Sequence, residues 1–173
     1  MTIHENELVF VPLGGSGEIG MNANLYHFKD RWLMVDLGIS FPDESLPGVD
    51  VILPDLTFIE ARKNKLEAII LTHAHEDHVG AVGHLWGHLR APVYARAFTA
   101  TIARLKMDEG GQDSRKVTTV QPWPEMTEAG PFKVGFVPVS HSIPESAGLV
   151  IDTPAGRIVH SGDFKIDHTP VVG

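Results

Sequence analysis

The seven residues Thr72-His73-Ala74-His75-Glu76-Asp77-His78 decide how this chain is read. They follow the apolar stretch Glu67–Leu71, which reads as a strand, and precede Val79–Leu89, which reads as a helix. Side chains alternate with period two in an extended segment, so His73 and His75 point the same way. Asp77 and His78 follow as the chain turns into the helix, and can face a neighbouring point. The segment sits at the carboxyl end of a strand, where open α/β sheets place their ligands. Zinc favours neutral imidazole beside a hard carboxylate, and HxHxDH supplies both. The bland alternative is a polar loop with Asp77 as a helix cap, and it leaves the clustering of donors unexplained.

Four residues cannot close two metal sites, so further donors are expected at strand ends. His141 follows the strand-like Phe132–Val139, and Asp163 follows Arg157–Val159 within Ser161-Gly162-Asp163. Taken singly, a lone His is usually solvated and Gly-Asp is usually a turn. Their shared position just past strand ends, downstream of HxHxDH, makes both candidate ligands. Asp36, at the end of Trp32–Val35, is read as a carboxylate that orients metal-bound histidines.

Working outward, Leu8–Leu13 reads as a strand ended by Gly14-Gly15. Leu25–Phe28 and Trp32–Val35 flank the turn Lys29-Asp30-Arg31 as a hairpin. Phe41–Pro54, rich in Pro, Gly and Asp, reads as a long ordered loop. Val93–Ala95 is strand-like, and Phe98–Met107 is a helix stopped by Gly110-Gly111. Val117–Val120, Phe132–Val139, Leu149–Ile151 and Arg157–Val159 complete the strands, with Pro154–Gly156 as a tight turn. Many strands with interspersed helices predict an α/β sandwich of mixed sheets. The 173 residues suit one domain (1–173) and no second, with 43% apolar and 21% charged residues. No apolar run approaches the roughly 20 residues of a membrane span, and the polar Met1–Glu7 carries no secretory pattern. Cys is absent, which removes disulfides and thiolate ligands and fits a cytoplasmic location. The net charge of −8 argues against a broad basic surface for nucleic acid; two divalent cations would leave about −4.

Several patterns compete. Gly15-Ser16-Gly17-Glu18-Ile19-Gly20 matches the dinucleotide fingerprint GxGxxG, but a hairpin rather than a helix follows it. These glycines are better read as letting backbone pass close to the metal cleft. His84 and His88 lie four apart on a helix, yet Leu85 stands where HExxH needs Glu, so they read as surface or packing residues. His160 ends a strand and reads as structural; His168 lies beyond the Gly162-Asp163 turn. Glu76 reads as solvent-facing. Ser142 and Ser146 either contact substrate or support the His141 loop. Trp86 and Trp123 read as packing residues, since neither sits in a basic, aromatic-interleaved run.

The segments Pro12–Asn22, Val35–Pro42, Leu71–Gly80, Ser140–Ser146 and His160–Lys165 together resemble the metallo-β-lactamase superfamily and, within it, the ribonuclease J family of the β-CASP group. The resemblance implies an αββα sandwich in which His73, His75 and His141 hold one Zn2+, Asp77 and His78 hold a second, and Asp163 bridges them; Mn2+ is an alternative. It implies hydrolysis of RNA phosphodiesters by a dizinc-activated hydroxide, with 5′-to-3′ exonucleolytic and endonucleolytic cuts in RNA maturation and mRNA decay. Catalytic roles fall on Asp77, His78 and Asp36, with Asp77 accepting a hydrogen bond from the bridging water. The family inserts a β-CASP domain and then completes the sandwich. Neither part is in this sequence, nor is a further histidine of the second metal. The sandwich is therefore expected to be incomplete, the second site one ligand short, and this stretch inactive alone. Residues that grip RNA would lie in the missing part, as would most surfaces of a homo-oligomer. A dizinc thioester or lactone hydrolase, or an inactive metal-deficient fragment, are the alternatives.

Overall fold

The computed structural model describes His4 and residues 6–169. Strand β1 (Val9–Gly14) runs antiparallel to β2 (Ala23–Phe28), and β2 to β3 (Arg31–Val35). The β2–β3 turn places both Lys29 and Asp30 at positive φ, the backbone of a hairpin turn that matches strand twist. Parallel strands follow: β4 (Leu66–Leu71), β5 (Val93–Ala95) and β6 (Val117–Thr119), giving a six-stranded sheet in the order β1-β2-β3-β4-β5-β6. A second, antiparallel sheet has the order β10-β9-β8-β7, from β7 (Met126–Ala129), β8 (Phe132–Pro138), β9 (Ala147–Thr153) and β10 (Gly156–His160).

The first sheet is the middle layer, and its strands show why. β2 is buried at every position and β4 reads Leu-Glu-Ala-Ile-Ile-Leu, the near-continuous apolar run of a strand covered on both faces. One face, through Met34, Ile69 and Leu71, meets the helices α1 (Thr57–Glu60), α2 (Glu76–Val79), α3 (Val82–Leu89) and α4 (Ala97–Glu109). The other face, through Leu33, Val35 and Ile70, meets Phe132, Val134, Phe136, Leu149 and Ile151 of the second sheet. β8 alternates only in part: on the outward face Lys133 is exposed and Val137 half-buried, whereas Gly135 is buried against Trp123. Among the described residues no helix covers that outward face. The mixed two-sheet sandwich is thus present with one helical layer, in line with the expected incompleteness. No described helix is long and apolar enough to cross a membrane.

Four elements differ from the sequence reading. The helix expected over Val79–Leu89 starts at Glu76 and breaks at Gly80-Ala81. The Asp77 carbonyl accepts from Asn22 N (2.9 Å), the His78 carbonyl from Leu37 N (2.8 Å), and Ala81 N donates to the Leu37 carbonyl (3.0 Å). Tertiary partners thus take the groups that would have carried the ladder onward. The short α1 and β7 were not expected, and Leu149–Ile151 is the centre of a seven-residue strand. Phe41–Pro54 is irregular as read, tied by one bridge between Ser40 and Ile52.

Candidate metal centre

Strand β4 carries the chain to the site. Its end delivers Thr72 and His73, both fully buried. β3, its parallel neighbour, ends one residue before Asp36, which is also fully buried and has φ of 64°. That left-handed turn is one that Asp tolerates better than most side chains. It directs the carboxylate at Thr72, whose backbone N–H donates to Oδ1 (2.8 Å) and whose hydroxyl lies 3.0 and 2.9 Å from the two oxygens. The other partner is His78 Nδ1, 2.7 Å from Asp36 Oδ2. An ionised Asp36 only accepts, so Nδ1 is the protonated nitrogen and Nε2 is presented to the cleft.

Two donor groups form around His73. In the first, His73 Nε2 and His141 Nε2 lie 3.0 and 3.1 Å from His75 Nδ1. The rings meet edge to face at 4.8–4.9 Å between centroids. An ion held tetrahedrally at Zn–N distances of 2.0–2.1 Å sets its nitrogens about 3.3 Å apart. The observed spacings are close to that. In the second group, ligand atoms of His73, His78 and Asp163 all lie within 4.8 Å of one another. Asp163 Oδ2 is 3.5 Å from His78 Nε2 and 3.9 Å from His141 Nε2, so one carboxylate faces both groups. Asp77 Oδ2 lies 3.5 Å from His78 Nε2, beside the second group. All six nominated ligands therefore meet at one place, with His73 reaching both groups. The donor set of imidazole and carboxylate, without thiolate, fits zinc or manganese.

Burial sets the protonation states. It pushes His73 down to about 4, helped by the charge on His78, and also lowers His141, so both offer lone pairs at neutral pH. Burial would lower His78 too, but the Asp36 charge and hydrogen bond, with those of Asp77, hold it at about 10. Burial alone would raise Asp36; His78 and Thr72 outweigh it and keep the carboxyl below the usual range. A cation at His78 Nε2 must therefore displace a proton.

Sequence reasoning assigned no role to Asn22, read Gly15 as letting backbone pass close to the cleft, and read His160 as structural only. Asn22 Nδ2 lies 3.1 Å from His78 Nε2 and 3.3 Å from Asp77 Oδ2. A turned-over amide would present its oxygen to the protonated ring instead. Gly15, at φ of 82°, lets backbone pass against Asn22: a Cβ there would come within 2.3 Å of Asn22 Oδ1. His160, read as structural, is held by Tyr26 Oη at 2.9 Å and also lines a cleft of about 240 Å³ with His78, Asp163, Asn22 and Ser16. Burial pushes Tyr26 up to about 12 and lowers His160. The position of Asn22 just before β2 was the available signal for it; the Tyr26–His160 contact had none. The remaining candidates have other partners. His88 pairs with Glu60 on the surface, Trp86 donates to the Ala91 carbonyl in the core, and Glu76 is exposed and pairs with Lys106. Trp123 packs over Gly135 on the second sheet. Ser142 Oγ is 3.4 Å from His75 Nε2, and Ser146 bonds the Ile143 carbonyl within the His141 loop.

Residues 17–170 match the family described as the Metallo-beta-lactamase superfamily. The chain belongs to that superfamily. Relatives of this chain include "Ribonuclease J" of Sinorhizobium meliloti, 48% identical over 98% of the chain and 31% of the relative. "Ribonuclease J" of Synechocystis is 40% identical over 96% and 26%, and that of Thermus thermophilus 35% identical over 98% and 31%. The chain thus spans about a quarter to a third of these relatives. Among solved structures, the metallo-beta-lactamase fold protein YhfI from Bacillus subtilis superposes with a TM-score of 0.62 at 19% identity, over 92% of this chain and 63% of that one. A protein of unknown function from Enterococcus faecalis V583 gives 0.68 at 20% identity, over 91% and 44%. These two likenesses concern the fold.

Proposed function

We propose that this chain carries the metal-binding part of a ribonuclease centre that hydrolyses RNA phosphodiesters. The convergence of His73, His75, His141, His78 and Asp163 at the sheet ends carries the reading, and the likeness to ribonuclease J supplies the substrate class. Two zinc ions, when bound, would lower the pKa of a water toward 7 and offset charge on the phosphoryl oxygens. His73, His75 and His141 would hold the first ion through Nε2, Nδ1 and Nε2, and Asp77 and His78 the second, with Asp163 shared. Asp163, facing both groups, would set their separation. Asp36 fixes the tautomer of His78 through Nδ1 and steadies Thr72, from which His73 follows. Asp77 would accept a hydrogen bond from the attacking water and turn its lone pair toward phosphorus. In the longer protein the reaction would include 5′-to-3′ exonucleolytic and endonucleolytic cuts, in the cytoplasm, within a homo-oligomer.

Each group has three donors, but His73 counts in both. With His73 in the first, the second keeps only His78 and Asp77 for itself beside the shared Asp163, which favours one firmly held ion and one weakly held ion in this stretch. Metal content per chain, measured by inductively coupled plasma mass spectrometry after purification without chelator, tests the reading. At least one zinc in the wild type and none in His75→Ala is expected, with Asp163→Ala losing the second ion first. A wild type that carries no metal would end the proposal.

A further inference from the structure

The loop that carries His141 is also anchored by Glu145, which belongs to neither donor group. Helix α4 begins at Ala97, and its N-cap, Arg96, offers no side-chain acceptor for the free N–H groups of the first turn. The acceptor comes from the loop between β8 and β9: Glu145 Oε2 takes the backbone N–H of Phe98 at 2.6 Å. Arg96 Nη2 donates to Glu145 Oε1 at 2.9 Å, with both side chains largely covered. A carboxylate at this end of a helix is favoured by the helix dipole as well as by the two hydrogen bonds.

Glu145 itself sits at φ of 57°, a left-handed conformation that an unbranched acidic side chain gains nothing from locally. The side-chain bonds offset that strain, so the backbone of the loop is set by where the carboxylate is held. The loop has few other ties. It closes through Val139 N to the Ser146 carbonyl (3.0 Å), and Lys165 N reaches the Ser140 carbonyl (2.8 Å). Between these ties, His141 projects to within 3.1 Å of His75 Nδ1.

We propose that Glu145 is the positioning residue for His141. Clamped between Arg96 and the first turn of α4, it holds the Ser140–Ser146 loop in the conformation that completes the three-histidine group, and so sets that group's affinity for its ion. The proposal rests on the metal-centre reading above. It also ties the second sheet, which bears His141, to the helical layer that packs on the first.

The test uses the 173-residue chain with Glu145→Gly and Glu145→Gln. Glycine accepts the left-handed backbone without strain, so Glu145→Gly removes the clamp while easing the fold. Two quantities are read: zinc affinity by competition with a chromophoric chelator, and amide hydrogen exchange through residues 140–146 against β8 and β9. For Glu145→Gly the expected result is a loss of affinity of roughly tenfold or more, the range for partners that orient a ligand, with faster exchange confined to the loop. Glu145→Gln keeps an acceptor for Phe98 and should fall between the two. Unchanged affinity, or exchange that rises through β8 and β9 alike, would overturn the proposal, the second because it marks a merely structural role. A wild-type chain that takes up no zinc would sink the metal-centre reading, and loop exchange would then still decide whether Glu145 holds the loop.

Discussion

His78 stands between two carboxylates with different tasks. Asp36 grips Nδ1 in the core, whereas Asp77 and Asp163 approach Nε2 from the cleft side. The Asp36 pair makes stability depend on pH from both sides. The Asp36 carboxyl is held low, so its contribution is present above the ordinary carboxylate pKa of about 4 and is lost as pH falls through the folded value. His78 is held high, so its contribution is full below about pH 6.5 and fades as pH rises toward about 10. In chelator, the urea midpoint should therefore fall between pH 6.5 and 9.5, and Asp36→Asn should flatten that slope. A slope unchanged by the substitution would refute the pairing. Asp36→Ala, which strands a buried partner, should cost about 3–5 kcal/mol. Metal uptake at His78 should also release a proton, read by calorimetry in buffers of different ionisation heat, whereas His73, already neutral, should release none.

At the scale of elements, the site depends on how closely the segment after β3 presses on α2. Gly38 has no room for a side chain: a Cβ would fall 1.7 Å from the Asp77 carbonyl oxygen and 2.6 Å from His78 N. Both neighbours are backbone, so neither can rotate away. Gly38→Ala should cost at least about 1–3 kcal/mol by overpacking. It should also push Asp77 and His78 out of register with Asp163. Denaturant unfolding and metal content, measured on one preparation, would check both. Full metal content with an unchanged midpoint would show that α2 is free to shift. The same contact explains why α2 is short, because the carbonyls at Glu76, Asp77 and His78 serve the 22 and 37–39 segments.

For the whole molecule, the four-stranded sheet has one buried and one open face. Val137, Val139, Val150, Val159 and Phe164 line an apolar groove of about 380 Å³ on the open side, and Val159 is 74% exposed. An apolar patch of this kind favours self-association. Val159→Lys should raise the concentration at which light scattering first grows, and should shift stability by no more than about 0.5 kcal/mol, as for surface positions generally. Equal scattering from the two chains would mean that this face stays solvated.

The sequence by itself determined the residue types and the local periods. The apolar runs of β2 and β4, the Lys29-Asp30 turn and the clustered donors of HxHxDH are short-range patterns, and each is legible because it spans only a few residues. Strand ends also pointed to Asp36, His141 and Asp163, since a donor just past an apolar run stands at a sheet edge. Only the tertiary structure decided which residues meet across long separations. Asn22 at His78, Tyr26 at His160, Glu145 at the first turn of α4, and the break between α2 and α3 all join residues far apart in the chain. No local period encodes such pairs. They arise when two packed sheets bring their strand ends together, where buried backbone and side-chain polar groups must find partners once water is excluded.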